Sequence, residues 1–278
     1  MKILLTNWDL KKIGGSQLWT YTMYKALKKL GHEVLVFSPR TGGFSDVFPK
    51  ITGGRPNVDL LIANQSIGLD LNCFKISNCH SFFVPIEKFR PGADVYVSVS
   101  NEVRDSQEID SKVILNPVDT TIYKPTRKVT KIKKVLYLNH DGGGAYNEIA
   151  KACKSLSLEL KTIDNKPDLS EQMNEADLVI GWGRGLIEAM LCERPIISLD
   201  QRSWTDKIKG YGIINSKNYH KAQYDNYSGR LKGFHYNAKD IVDLIMDVDV
   251  KDAPNVRELA YNDHDYIIIT RKYEKLLN

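Results

Sequence analysis

Long apolar runs are absent from this chain of 278 residues, in which no stretch approaches the ~20 apolar residues that a membrane-spanning helix needs. The opening residues, MKILLTNWDL, hold a short apolar run and then turn polar, without the apolar core and small-residue cleavage site of a signal peptide. We therefore expect a cytoplasmic protein that does not span a membrane.

Cysteine is scarce as well. The four cysteines, Cys73, Cys79, Cys153 and Cys192, form neither a C-x-x-C pair nor a Cys/His cluster at zinc-binding spacing. We expect them to be buried free thiols, and we expect no metal site built from them.

The residues that are present have the balance of an ordinary globular protein, with 42% hydrophobic and 26% charged residues. This composition excludes disordered, collagen-like and fibrous chains. The net charge of +5, from 39 basic and 34 acidic side chains, is mild for this length. It suits a protein that meets phosphates or an anionic surface, but it does not require nucleic acid.

Apolar runs alternate with helical patterns in the first 120 residues. KILLT precedes a Gly-rich turn, a helical pattern runs from Gln17 to Leu30, and HEVLVFS follows Gly31, which predicts a β-α-β unit. Further apolar runs at 59–63, 94–100 and 112–116 are typical of a parallel sheet covered on both faces.

A break with two prolines and six basic residues lies in the segment 116–134, and the strand and helix alternation then restarts. We predict an α/β protein with two Rossmann-like doubly wound domains, over 1–120 and 121–262, and a C-terminal helix over 263–278 that can pack back on the first domain. Parallel sheets bind ligands at the carboxyl ends of their strands, so we expect an active site in a cleft between the two domains.

The segment ADLVIGWGRGLIEAMLCERPII, residues 176–197, is the most informative. A buried strand ends at Gly181, the alternating glycines permit close backbone approach, and a helix is predicted to begin at about Leu186. A helix N-terminus after a glycine loop is a phosphate site. Glu188, in the predicted first turn, could reach the hydroxyls of a sugar. The same spacing also fits a tight strand-helix turn with no ligand.

This segment resembles the donor-site signature of GT-B glycosyltransferases, in particular the retaining group-1 family (family 4), whose usual form ends in Glu-Ala-Met-Ala-Cys-Gly-x-Pro-Val-Ile. Three other segments resemble the same family in the expected order. They are the Gly-Gly loop and helix of 13–39, the strand ending in a histidine at 76–83, and LNPVDTTIYKP at 115–125.

The resemblance implies roles for individual residues. Glu188 would bind the ribose of the nucleotide, with Gly183, Arg184, Gly185 and Leu186 approaching the donor. Gly14 and Gly15 would bring backbone N–H groups to the diphosphate, and His80 would lie beside the transferred sugar. His80 and Glu188 are thus the predicted catalytic residues. The resemblance further implies retention of configuration, no metal and no cofactor beyond the nucleotide-sugar co-substrate.

The chain departs from the family pattern at three places. Ile180 stands where the family's E-x7-E motif has its first glutamate. The segment from Asn139 to Glu148 lacks the Arg and Lys that neutralise the leaving diphosphate, a charge that Arg184, Arg202 or Lys207 could supply instead. The connection from Lys161 to Asp177 is short.

Other patterns suggest different ligands. HDGGGAY with Asp164 imitates a dinucleotide-binding fold, but it is not G-x-G-x-x-G. The D-x-D at Asp247 to Asp249 follows a helical stretch rather than a nucleotide-binding strand, which favours a solvated helix end over a metal site. Residues 217–236 interleave aromatic and basic side chains, as do proteins that stack on bases or sugars, although a tyrosine-rich loop packed on its own domain is the favoured interpretation.

We conclude from the sequence that this is a glycosyltransferase, transferring a hexose or a pentose from a nucleotide-diphosphate sugar to a hydroxyl. The alternatives are transfer to a modified base in DNA, as in viral enzymes, a sugar-nucleotide epimerase, and a non-catalytic donor-binding module. The charge excess is small and evenly spread, with 14 basic and 12 acidic residues in 1–120. A glycan or lipid-linked acceptor is therefore favoured over nucleic acid, and a lipid-linked one would bring the protein to a membrane surface.

Overall fold

The computed structural model describes residues 1–48, 56–139, 145–163, 166–200, 207–230 and 234–277, excluding the side chain of Asp200. The chain divides into two compact units. The first contains Met1–Asp119 together with His264–Asn278, and the second contains Thr120–Asp263. Each unit is built around one sheet.

The sheet of the first unit is entirely parallel in the described residues, in the order β2-β1-β3-β4-β5-β6. Because its strands are parallel, their carboxyl ends share one edge. Its strands are β1 (Lys2–Thr6), β2 (Glu33–Phe37), β3 (Leu60–Asn64), β4 (Phe74–Cys79), β5 (Val95–Ser98) and β6 (Lys112–Val113).

The sheet of the second unit has the order β12-β11-β10-β9-β7-β8. Its strands are β7 (Lys134–Tyr137), β8 (Glu159–Thr162), β9 (Leu178–Gly181), β10 (Ile196–Asp200), β11 (Lys209–Ile214) and β12 (Phe234–His235). The first four pair in parallel, whereas β11 and β12 add an antiparallel end that the sequence pattern did not predict.

The helices are α1 (Gly15–Lys29), α2 (Asn101–Asp105), α3 (Tyr146–Ser155), α4 (Ser170–Glu175), α5 (Arg184–Leu191), α6 (Tyr219–Gln223), α7 (Ala238–Met246), α8 (Ala253–His264) and α9 (Tyr266–Glu274). In the described part of the chain, none of them is both long enough and apolar enough to cross a membrane.

The core of the first unit joins the sheet to helices from both ends of the chain. Ile3 and Leu5 of β1 are fully buried in one cluster with Trp19 of α1 and Ile269 of α9, while Leu4 packs in a second cluster. The alternation along β1 therefore buries both faces of the sheet, as expected of a doubly wound unit. Helix α9 packs against α1 and so belongs to the first unit.

The core of the second unit is formed in the same way. Tyr137 of β7, Ile180 of β9 and Ile197 of β10 are fully buried, in one cluster with residues of α3 and α7. Helix α5 packs against β9 and β10. The structure thus has the two Rossmann-like units predicted from the sequence.

Candidate functional site

The glycine-rich segment of the second unit connects the end of β9 to α5. Gly183, before the first residue of α5, has φ 67° and ψ −146°, a left-handed conformation that favours glycine. The helix begins at Arg184, two residues earlier than predicted. Glu188 therefore lies in the second turn of α5 and not in the first, which corrects the expected position.

The two flanking glycines serve the packing of this segment. A Cβ at Gly181 would lie 2.6 Å from Leu138 Cβ, and a Cβ at Gly185 would lie 2.7 Å from Leu138 Cδ1. Both distances are shorter than real Cβ contacts, so the strand end and the helix start can approach Leu138 only without side chains. The close approach predicted towards a ligand is made, at these two glycines, towards the protein itself.

Leu186 also faces inwards. Its side chain is fully buried, and its N–H donates to the Gly183 carbonyl at 3.0 Å. In this conformation neither group is directed to a ligand, so the expected donor contact of Leu186 has no support in the geometry.

Glu188 is buried and paired with Arg184. Only 2% of Glu188 is exposed, and Arg184 Nε donates to Glu188 Oε1 at 2.9 Å, one helical turn away. The Tyr123 hydroxyl also hydrogen-bonds to Glu188, and it accepts from the Leu169 N–H at 3.2 Å. Burial raises the pKa of the Glu188 carboxyl, and Arg184 and Tyr123 offset part of that rise.

Tyr123 is a residue of this site that the sequence reasoning missed. It stands at the phenylalanine position of the family segment that LNPVDTTIYKP resembles. The signal was available, because a tyrosine in place of a buried phenylalanine brings a hydroxyl that needs a partner. That partner is the predicted donor-site glutamate.

A turn at residues 225–229 lies next to the start of α5. Asn226 Nδ2 would be 3.5 Å from a Cβ at Gly183. Asp225 is fully buried, and its Oδ1 accepts from the N–H groups of Ser228 and Gly229, each at 3.2 Å. Burial raises the pKa of the Asp225 carboxyl. The backbone of the turn thus holds one oxygen of this carboxylate next to the glycine segment, while Asp225 Oδ2 is buried without a hydrogen-bond partner among the described residues.

The aromatic residues of 217–236 are only partly available for stacking. Tyr219 and Tyr227 are fully buried, with ring centroids 5.6 Å apart, while Phe234 is 66% exposed. The ring of Tyr227 is part of the domain core, which agrees with the favoured interpretation of a tyrosine-rich segment packed on its own domain. The basic Lys232 lies outside the described residues.

Two other patterns in the sequence suggested different ligands. The loop 140–144 and Asp164, which suggested a dinucleotide site, lie outside the described residues, as does Arg202. Asp249 Oδ1 accepts from the Lys251 N–H at 2.9 Å and so caps a short helical turn. Among the residues that the structure describes, no three His, Cys, Asp or Glu side chains are grouped as metal ligands.

In the first unit, the Gly-Gly loop leads directly into α1. Gly14 is extended at the N-cap position, Gly15 is the exposed first residue of the helix, and the first turn holds no acidic residue. Gln17 Nε2 donates to the Asp9 carbonyl at 2.7 Å and ties the helix start to the loop. The positive end of a 15-residue helix thus follows β1, an arrangement that can bind an anion at the helix start.

His80 follows the last residue of β4, at the same edge of the sheet. Its Nε2 lies 2.8 Å from Asn64 Oδ1 and 2.9 Å from Asn78 Nδ2, and its ring packs edge-on against Trp19 at 5.3 Å. Its backbone N–H donates to Glu87 Oε2 at 3.0 Å. The imidazole is therefore held by the polar ends of β3 and β4.

Glu87 is the second buried acid of this region. Only 7% of it is exposed, its Oε1 accepts from Gln65 Nε2 at 2.7 Å, and Gln65 Oε1 accepts from the Trp8 N–H at 3.1 Å. Burial raises the pKa of the Glu87 carboxyl, although the hydrogen bonds from Gln65 and His80 oppose this rise. Through Gln65, Glu87 fixes the loop after β1 and the loop after β4 to each other.

The structure thus collects the predicted residues into two groups. Gly14, Gly15 and His80 share the carboxyl edge of the first sheet, and Gly183 to Glu188 follow β9 in the second. Exposed aromatic side chains accompany the first group, with Trp8 at 42% and Phe83 at 41% exposed.

Solved structures that share this fold are glycosyltransferases. AviGT4, involved in avilamycin A biosynthesis, is 16% identical, with 99% of this chain and 96% of that chain covered and a TM-score of 0.63. HepE of Anabaena, in complex with UDP, is 16% identical, with 100% of this chain and 99% of that chain covered and a TM-score of 0.68. An α-glucosyltransferase in complex with UDP and a 13-mer DNA is 10% identical, with 100% of this chain and 99% of that chain covered and a TM-score of 0.64.

No family model matches the chain, and no curated protein matches it. At the identities found among the solved structures, the likeness establishes the fold. This fold is the GT-B fold of glycosyltransferases, as predicted.

Proposed function

We propose that this protein is a glycosyltransferase that moves a hexose or a pentose from a nucleotide-diphosphate sugar to a hydroxyl acceptor. The observation that carries the proposal is a likeness, over at least 99% of the chain, to glycosyltransferases, some of them crystallised with UDP or UDP-glucose. The second unit would bind the donor, and the first would bind the acceptor.

Arg184 is our candidate for the positive charge beside the diphosphate. It is the first residue of α5, where its guanidinium adds to the positive end of the helix dipole. Glu188 holds that guanidinium in place from the next turn. A ribose contact by Glu188 would require the donor to displace part of this pairing.

The reaction requires stabilisation of negative charge on the departing diphosphate. In the second unit, the start of α5 and the Arg184 side chain can supply it. The buried acid next to His80, Glu87, is a poor nucleophile here, since each of its oxygens accepts a hydrogen bond. Retention, which the family resemblance implies, would then proceed by attack on the donor face from which the phosphate leaves, with His80 beside the sugar.

We propose further that catalysis needs no divalent metal, because helix ends and a guanidinium can neutralise the leaving group. Activity should survive a chelator. Loss of activity with EDTA that returns on addition of Mg²⁺ or Mn²⁺ would overturn this point.

For the acceptor, we propose a glycan or a glycolipid. Trp8 and Phe83 present exposed rings in the two loops that Gln65 and Glu87 fix together, at the edge that carries His80. Flat apolar faces of this kind pack well against sugar rings. A matched pair of variants, Trp8→Ala and Phe83→Ala, should raise the KM for the acceptor and leave the KM for the donor unchanged.

Transfer to a base in DNA is the second candidate. It is favoured by the fold likeness to an α-glucosyltransferase crystallised with DNA containing an HMU base, at a TM-score of 0.64. Oligonucleotide binding would then weaken with salt at a log-log slope of about −0.7 to −0.9 per phosphate contact. A neutral glycan acceptor predicts almost no salt dependence.

The first experiment is a thermal-shift screen with UDP-, GDP-, ADP- and CMP-sugars, since a ligand at ~100 times its Kd adds about 2.7 kcal/mol of stability. Product analysis of the best donor follows. A donor that is inverted or hydrolysed without an acceptor would indicate an epimerase, binding without turnover would indicate a non-catalytic module, and no shift with any donor would contradict the proposal.

A further inference from the structure

The side chains behind His80 form a buried polar chain that crosses the first unit to its C-terminal helix. Asn64, Asn78 and Tyr273 are each at most 1% exposed. Asn78 Nδ2 donates to Asn64 Oδ1 at 3.0 Å, and the Tyr273 hydroxyl donates to Asn78 Oδ1 at 2.7 Å. Such a chain adds little net stability compared with an apolar core of the same shape.

The orientation of each amide in this chain is determined by its neighbours. Thr20 Oγ1 donates to the Ser16 carbonyl at 2.9 Å, so it can accept from Asn64 Nδ2, which lies at 3.1 Å. This directs Asn64 Oδ1 towards Asn78 and His80. The Tyr273 hydroxyl donates to Asn78 Oδ1. This hydrogen bond directs Asn78 Nδ2 towards Asn64 Oδ1 and His80 Nε2.

His80 Nε2 therefore meets an amide oxygen at 2.8 Å and an amide nitrogen at 2.9 Å, both in fixed orientations. The amide oxygen favours a proton on Nε2 and the amide N–H favours a bare Nε2, so the balance between these two contacts affects where the imidazole carries its proton. Trp19 packs edge-on against both rings, with centroids 5.3 Å from His80 and 5.8 Å from Tyr273, and so closes the space between them.

We propose that Tyr273 of α9 is a positioning residue for His80, acting through the amide of Asn78. Tyr273 lies 195 residues from Asn78 in sequence and does not need to touch substrate for this role. The functional part of the inference rests on the proposed glycosyltransferase activity, whereas the structural part concerns the imidazole alone.

The test is the Tyr273→Phe variant, which removes one hydroxyl and keeps the ring. Tyr266→Phe is the matched control, because Tyr266 lies on the same helix and is 4% exposed. Its hydroxyl accepts a hydrogen bond from Lys29 Nζ at 2.9 Å and is not part of the hydrogen-bonded series from Tyr273 to His80. The readout is the ¹⁵N spectrum of the histidine rings, recorded about two units above the ordinary histidine pKa of ~6.5. His80 is assigned by the signals lost in His80→Gln.

We expect Tyr273→Phe to shift the ring ¹⁵N resonances of His80 and Tyr266→Phe to leave them in place. In an Asn78→Leu background, Tyr273→Phe should cause no further shift, because the connecting amide is gone. Unchanged His80 resonances in Tyr273→Phe, or the same shift in both tyrosine variants, would overturn the proposal.

The second readout is UDP release from UDP-glucose, used as the probe, with water as the acceptor of the glucosyl group. Tyr273→Phe should lower kcat by about tenfold with the donor KM unchanged, while Tyr266→Phe changes neither. A His80 shift without any transferase activity would contradict the proposed function and leave the positioning intact. Activity together with unmoved His80 resonances would contradict the positioning alone.

Discussion

Glu188 combines a predicted functional role with a structural one. Its carboxylate is buried next to the guanidinium of Arg184, and breaking such a pair from one side costs about 3–5 kcal/mol. An exposed acid in the first turn could be removed with little effect on the fold, whereas Glu188 lies in the second turn and is buried.

We therefore expect Glu188→Ala to lower the free energy of unfolding by about 3–5 kcal/mol, because the change removes the buried member of this ion pair. Glu188→Gln keeps the shape and one acceptor oxygen, and it should unfold closer to the wild type while losing most of the thermal shift with a nucleotide sugar. Urea unfolding and the ligand screen measure the two effects. Full donor stabilisation of Glu188→Gln would contradict the donor-site assignment.

Asp177 gives a pH-dependent test of the second unit. Burial alone would raise the pKa of its carboxyl, but the hydrogen bond from Arg127 and the N–H groups of Lys133 and Lys134 outweigh burial and lower that pKa. Because the pKa of Asp177 is lower in the folded state, its carboxylate stabilises the protein at pH values above the unfolded-state pKa of ~3.9. The protein loses this contribution as the pH falls through the folded-state pKa.

Asp177→Asn should therefore lower the free energy of unfolding at neutral pH by about 1–3 kcal/mol, because the charged acceptor is lost. The difference from the wild type should narrow below about pH 4, where the wild-type carboxyl takes up its proton. Urea denaturation over a pH series measures it. A difference that stays constant with pH would show that the charge of Asp177 does not contribute.

Three helices end in the same hydrogen-bond pattern with different residues at the left-handed position. Gly31 after α1, Ser157 after α3 and Glu193 after α5 have φ of 88°, 55° and 59°. In each case the next N–H bonds back to a carbonyl five residues earlier, as His32 to Leu27 and Arg194 to Ala189. Only glycine adopts this conformation without strain.

Glu193→Gly and Ser157→Gly should each raise the stability by up to about 1 kcal/mol, because the left-handed conformation costs a side chain about 1–2 kcal/mol and glycine regains most of it. Gly31→Ala is the matched reverse change and should lower stability by a similar amount. Thermal or urea unfolding of the three variants measures the series. A loss of stability with Glu193→Gly would mean that its side chain contributes more than its backbone strain costs.

The elements with a clear period could be predicted from the sequence, and those fixed by distant contacts could not. The helical pattern before Gly31 corresponds to α1, which buries one face, and the apolar run that ends at Gly181 corresponds to β9, which is buried over its length. The strand β11 contains Gly210 and Gly212, which interrupt its strand-forming residues, and its pairing with β10 decides its structure.

The candidate site also contains residues that could be predicted from the sequence and residues that could not. Glu188 and His80 follow recognisable segments, so their places in the fold could be predicted. Their partners Tyr123 and Tyr273 come from parts of the chain far away in sequence. No local pattern encodes such a contact. The polar residues Asn64 in β3 and Asn78 in β4 are nevertheless unusual in buried strands and are a local signal of a polar site.

The division of the chain predicts separate responses of the two units to core mutations. Ile269 of α9 is fully buried in the first unit, and Ile245 of α7 is 4% exposed in the second. Each Ile→Ala change should cost about 2–5 kcal/mol through the lost apolar contacts and the resulting cavity.

Ile269→Ala should speed amide hydrogen exchange in peptides from β1 to β5, and Ile245→Ala should speed it in peptides from β7 to β10. Mass spectrometry of exchange over matched peptides distinguishes the two patterns. Equal acceleration throughout the chain in both variants would mean that the protein unfolds as one cooperative unit.

The first unit is completed by residues that the ribosome adds after the whole second unit. Residues 1–119 contain all the strands of its sheet in the described chain, yet α9, which buries Ile269 against that sheet, follows residue 263. At about 5–20 residues per second, translation of the intervening segment takes on the order of 10 s. During that interval the nascent first sheet lacks one of its covering helices and exposes apolar surface, while the second unit can already close. A chaperone that binds this protein during synthesis would therefore be expected to recognise the part made first.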